Sequence, residues 1–137
     1  MILDDLITFL EANTSLRTLL GGPGRVVAGH IKQGQALPCV TVEDGGGDST
    51  KRPGYRYYQN RDQMDVVTVD VWTQQSNQHR AEICELLDEL LIPGPTGGTL
   101  DDTWGWDRIS RSMPWDESLR AYHAVLRYAC NYGIHDA

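Results

Sequence analysis

At 137 residues the chain is sized for one domain, and a single core of ordinary depth accommodates its 40% of hydrophobic residues, so one unit is expected over residues 1–137. No stretch approaches the roughly eighteen apolar residues of a membrane-spanning helix, and Asp4 and Asp5 stand where a secretory signal would carry basic residues; a soluble protein folding in a reducing cytoplasm, with no membrane partner, is the expectation. A formal net charge of −7 excludes a surface built to grip nucleic-acid phosphates generally, which needs clustered Lys and Arg.

Leu3, Leu6, Ile7 and Leu10 recur at helical spacing and predict an amphipathic opening helix, with Asp4, Asp5 and Glu11 left to solvent. Asn13, Thr14 and Ser15 prefer caps, so the helix kinks or restarts there before Leu16, Leu19 and Leu20, and Gly21-Gly22 ends it. Residues 25–31 and 37–44 are short, β-branched and bounded by Gly, Gln and Pro, the pattern of two strands joined by a hairpin loop. In residues 65–72 the alternation sets Val67, Val69 and Val71 on a buried face and Val66, Thr68, Asp70 and Trp72 on a mixed, partly wet one.

Ser76 is placed as an N-cap, and Ile83, Cys84, Leu87, Leu90 and Leu91 follow at helical spacing opposite Glu82, Glu85, Asp88 and Glu89. Pro93-Gly94-Pro95 stops this helix, and a strand is predicted over residues 104–113 until Pro114 breaks the ladder. A last strand over residues 119–132 puts Leu126, Tyr128, Cys130 and Tyr132 on one face and His123, Val125 and Arg127 on the other. The implied fold class is α+β: a mostly antiparallel four- to five-stranded sheet, two helices on one face, and a long loop between strands two and three.

No constellation calls for catalysis, a cofactor or a metal. Cys39, Cys84 and Cys130 are odd in number and far apart, which fits small core residues better than disulfides or a zinc knuckle. The tract Glu43-Asp44-Gly45-Gly46-Gly47-Asp48 lacks the ligand spacing of a calcium loop, and Gly21-Gly22-Pro23-Gly24 lacks the Lys-Ser/Thr of a phosphate loop. His79 and Glu82 share a helical face near Cys84, but a tetrahedral site needs three or four convergent ligands. His30, His123 and His135 are scattered, Asp101 and Asp102 read as solvated loop acids, and there is no nucleophile elbow. Trp104-Gly105-Trp106 sets two indoles on one strand face, where they serve either an interface or ligand platform or core burial under the second helix.

Residues 45–61 run against the average charge, with Lys51, Arg52, Arg56 and Arg61 against the single acid Asp48 and with Tyr55, Tyr57 and Tyr58 between them. A connection of that length is normally functional or disordered, and Arg and Tyr are the residues enriched at binding hot spots. These seven basic and tyrosine residues are therefore the candidate protein interface.

The leucine-rich opening helix closing in Leu-Leu-Gly-Gly, the strand over residues 25–31, the run Leu37-Pro38-Cys39-Val40-Thr41-Val42, and residues 65–72 before the second helix together resemble the tail completion proteins of tailed bacteriophages, the tail terminators and tail-to-head joining proteins. The resemblance extends over nearly the whole chain, including the late strand with His123 and Arg127-Tyr128. It implies a virion subunit assembled in the host cytoplasm, a homo-oligomeric ring of six copies that caps the tail tube and docks on the head-side connector or stopper. Genome DNA would pass through the lumen without specific binding, which an acidic surface suits. It also implies that the loop of residues 45–61 reaches a neighbouring subunit or the tube. The alternative is a neck adaptor that stays monomeric until it docks on its partner.

Overall fold

The computed structural model describes residues 2–31, 34–44 and 63–132. The chain runs α1 (Ile2–Glu11), α2 (Thr14–Leu20), β1 (Val26–Ala28), β2 (Cys39–Asp44), β3 (Gln63–Thr73), α3 (Asn77–Leu91), a 3-10 turn (Gly98–Asp102), β4 (Thr103–Ser112), β5 (Trp115–Asp116) and β6 (Ala121–Tyr132). The strands form one mixed, curled sheet in the order β1-β2-β3-β6-β4, and β5 continues the β4 edge by pairing with β6.

This corrects the expected architecture in three respects. Among the described residues the sheet has six strands, not four or five, because the chain resumes pairing after Pro114, with Trp115 opposite Tyr122. It is mixed, because β1 and β2 are not a hairpin: they run parallel, with Val26, Val27 and Ala28 beside Val40, Thr41 and Val42. Arg25 C=O accepts from Val40 N–H at 2.8 Å and Val42 C=O accepts from Gly29 N–H at 2.9 Å, so the chain doubles back before β2 begins. Finally, the described residues hold three α-helices where two were expected. The Asn13 side chain accepts from Leu16 N–H at 2.9 Å, starting α2 as a separate helix, and Gly21 ends it in the left-handed region at φ 84°.

All three helices pack on one face of the sheet, where Leu6 and Leu10 of α1, Leu16 and Leu20 of α2, and Ile83, Leu87 and Leu91 of α3 meet the aliphatic faces of β2, β3 and β6. Val67, Val69 and Val71 are fully buried there, as the alternation predicts. The opposite face is drier than expected: Val66, Thr68 and Trp72 are buried as well, which suits central strands flanked on both sides. Cys39, Cys84 and Cys130 are free and buried, and burial raises their thiols to about 11, 11 and 12 respectively, so they behave as small core residues.

The 3-10 turn is tied to α1 by one carboxylate. Asp5 Oδ2 accepts from Thr99 N–H at 2.7 Å and Thr99 Oγ1–H at 2.6 Å. A Cβ at position 98 would stand 2.5 Å from Asp5 Oδ2, so this close approach requires Gly98. The hydroxyl of Thr99 and then its backbone N–H hold the Asp5 carboxyl below its usual range. A carboxylate with a depressed folded pKa contributes stability that is present above its unfolded value, near 4, and is lost as pH falls through the folded value. Asp5→Asn should therefore melt below wild type at pH 6, and the gap between the two melting temperatures should narrow steadily as pH is taken below about 4 in a thermal denaturation series.

Candidate interaction surfaces

The residues singled out on residues 45–61, Lys51, Arg52, Tyr55, Arg56, Tyr57, Tyr58 and Arg61, lie outside the described residues, as does His135. The three described histidines, His30, His79 and His123, make separate contacts. Both ring nitrogens of His79 are committed: Nε2–H donates to Leu19 C=O at 2.9 Å, so Nδ1 accepts from the Thr73 hydroxyl at 2.7 Å. This side chain fastens α2, β3 and α3 together. His123 stacks on Trp72 with ring centroids 3.6 Å apart and lies 3.5 Å from Asp70, while His30 is exposed and 3.7 Å from Glu43. Among the described residues no group of three or more His, Cys, Asp and Glu is arranged to hold a metal ion. Nor, among them, is any helix long and apolar enough to cross a membrane.

The two tryptophans flanking Gly105 part company. A bulge between Trp104 and Asp107 breaks the alternation, so Trp106 enters the core at 5% exposure while Trp104 stays outside at 43%. Gly105 takes φ +66° in that bulge, and a Cβ there would lie 2.8 Å from Asn131 Nδ2. Trp106 is anchored by Nε1–H donating to Thr103 Oγ1 at 2.8 Å, and Thr103 in turn donates to Leu100 C=O at 2.6 Å. A second bulge lies between Arg108 and Ser110, and the extra residue, Ile109, is 51% exposed. Trp115 on β5 is also half exposed, packing edge-on against Tyr122.

The two edges of the sheet differ. At the β1 edge, the carboxylate of Glu11 from α1 accepts from Val26 N–H at 2.9 Å and from Gly24 N–H at 3.2 Å, covering donors that an edge strand would otherwise present. At the other edge β4 extends over ten residues and, among the described residues, has no strand on its outer side. Long open edges are templates for pairing with another chain. Charge and bulging temper this one, since Asp107, Arg108 and Arg111 interrupt its apolar residues.

What fixes β4 against the helices is Asp88. Its carboxylate accepts from Tyr128 O–H at 2.6 Å and from Arg108 Nε–H at 3.1 Å, so one acid on α3 joins β6 and β4. Burial, then the bond to Asp88, raises the Tyr128 hydroxyl far above its usual range, so it remains a donor at any physiological pH. The next break in the edge is held by Arg80, whose guanidinium donates to the carbonyls of Met113, Pro114 and His123 at 3.1 to 3.2 Å.

On the other flank of α3, a groove of about 500 Å³ runs between α2 and α3, bounded by Thr18 and Leu19 on α2 and by Glu82, Glu85, Leu86 and Glu89 on α3. The three glutamates lie along one side of the helix because positions three and four apart stack on the same face. The sequence pattern marks them as a solvated face, and only the placement of α2 beside them makes the groove.

No family model matches the chain, and no curated protein matches it. Twenty-nine chains of solved structures are similar to it. One of them, a chain from the virion of a native gene transfer agent particle, superposes with a TM-score of 0.67 at 13% identity, covering 93% of this chain and 90% of that one. The likeness is one of fold, and it spans most of both chains.

The bond set around Asp88 predicts an order of effects. Asp88→Ala strands the buried Tyr128 hydroxyl and frees Arg108, and should cost about 1–3 kcal/mol in urea denaturation. Tyr128→Phe removes only a donor while Asp88 keeps Arg108, and should cost about 1 kcal/mol or less. Equal losses in the two variants would contradict the bridging role.

Proposed function

We propose that this chain is a non-catalytic structural subunit of a phage or phage-like particle, a tail terminator that forms a ring, hexameric by family resemblance, closing the tail tube and joining it to the head-side connector. Genome DNA passes through the lumen without specific binding. The observation that carries this reading is the fold likeness to a chain of a gene transfer agent virion, which spans nearly the full length of both chains. Two features of the molecule support it. Trp104, Ile109 and Trp115 are large apolar side chains left exposed on or beside an open sheet edge, a place where assemblies commonly bury surface. The acidic balance of 19 Asp and Glu against 12 Lys and Arg suits a channel along which DNA slides. On this reading the segment with Lys51, Arg52, Tyr55, Arg56, Tyr57, Tyr58 and Arg61 contacts protein, either a neighbouring subunit or the tube, and not DNA.

Disrupting the coding sequence in a particle-producing strain tests the reading. Filled heads that fail to join to tails, or tails of uncontrolled length, are expected by electron microscopy, with antibody labelling of intact particles at the head-tail junction. Normal, infectious or transfer-competent particles lacking the chain would overturn it. Labelling at the junction by a protein that is strictly monomeric in solution would instead favour the partner-dependent adaptor.

A further inference from the structure

Charge is segregated across α3. At about 100° per residue, Leu86 toward α2 and Asp88 toward β4 lie on opposite sides of the helix, so the groove and the β4 edge occupy opposite flanks. The groove flank carries Glu82, Glu85 and Glu89 with no cationic partner among the described residues. A row of like charges on one helix face is mutually repulsive unless a cation sits against it. The bases of the helical layer do not supply one: Arg80 is occupied by carbonyls, and Arg17 lines a separate hollow with Gly22 and Pro23. The β4 flank has the reverse character. Arg111 is exposed and, among the described residues, has no ion pair, and the bulged Ile109 stands two positions before it.

We propose that copies of this chain join head to tail, with the β4 edge around Ile109 and Arg111 of one copy seated in the acidic groove between α2 and α3 of the next. The inference rests on the ring-forming reading and supplies its subunit contact. The groove floor of Leu19 and Leu86 receives the isoleucine, and the glutamate rim meets the guanidinium. Because the two surfaces are different and lie on opposite flanks, the contact is heterologous: each copy can bind one neighbour on either side, which closes as a ring where the rotation permits. Both elements are available without rearranging the core.

Two variants and their mixture test this. Glu82→Lys combined with Glu85→Lys spoils the groove and leaves the edge intact, and Ile109→Ser combined with Arg111→Ser spoils the edge, without giving it charges that a lysine-bearing groove would attract, and leaves the groove. All four positions are exposed, and circular dichroism and thermal melting establish that each variant is folded. Wild type should grow beyond a dimer with concentration in light scattering, less so at high salt. Each variant alone should be monomeric, its self-association weakened tenfold or more. An equimolar mixture should give one-to-one dimers that grow no further, since only one good groove and one good edge remain. A mixture that stays monomeric, edge variants that assemble like wild type while groove variants do not, or a wild type that is monomeric throughout would overturn the proposal. The second of these outcomes would assign the groove to a different basic element, such as residues 45–61 or a partner protein. Particle labelling and gene disruption decide the virion reading independently.

Discussion

The antiparallel ladder between β3 and β6 is the constraint on which the rest of the molecule hangs. It runs through eleven residue pairs, from Gln63 beside Tyr132 to Thr73 beside Tyr122. Its register sets Val67, Val69 and Val71 on the same face as Leu126 and Tyr128, and a slip of one residue would turn every one of those side chains away from the helices. With β2 alongside residues 67–72 of β3, and β4 and β5 alongside β6, both central strands are paired on two sides over most of their length, which satisfies most of their backbone polar groups within the sheet. The second face of β3 is nearly dry as well, with Val66, Thr68 and Trp72 buried and the His123 ring stacked on Trp72.

On this platform α3 acts as a divider. Its buried side, Ile83, Leu87 and Leu91, provides the apolar attachment, while single polar side chains fasten it at each flank. His79 reaches α2 and β3 through its two ring nitrogens, and Asp88 reaches β4 and β6 through its two carboxylate oxygens. These bonds are directional where the apolar contacts are not, so they set the angle at which α2 and the β4 edge stand beside the helix. The outward glutamates and the outward arginine are then carried to different sides of one subunit.

The treatment of the two sheet edges follows the same division. Glu11 closes the short β1 edge from within the chain, whereas β4 is left long and open, with its apolar residues broken up by charges and two bulges. Charged and bulged edges resist indiscriminate strand addition but still permit a shaped, complementary contact. An asymmetric subunit with one closed edge and one open edge is suited to directional assembly, in which each contact joins unlike surfaces.

Much of this was legible in the chain itself. The stripe of Leu3, Leu6 and Leu10, the alternation through Val67, Val69 and Val71, and the capping Ser76 specify elements by local periodicity and local hydrogen bonding, and those elements stand where expected. The buried, free cysteines follow from their number and spacing. What the sequence could not determine was which strands lie side by side and where an irregularity falls. The parallel pairing of β1 with β2 depends on a loop path that no local signal encodes, and the two-residue strand β5 owes its existence to the neighbouring β6. The separation of Trp104 from Trp106 is decided by a bulge at Gly105, a register effect between segments 22 to 27 residues apart in the chain, from Asp107 beside Ala129 to Trp104 beside Asn131. The acidic groove is likewise a product of packing: its glutamates are visible as a helical face, but the wall that turns that face into a site comes from α2, sixty residues earlier for the bond that joins Leu19 to His79. Periodicity is a property of a segment and survives in one dimension, whereas edges, bulges and grooves are relations between segments and exist only once the chain has folded.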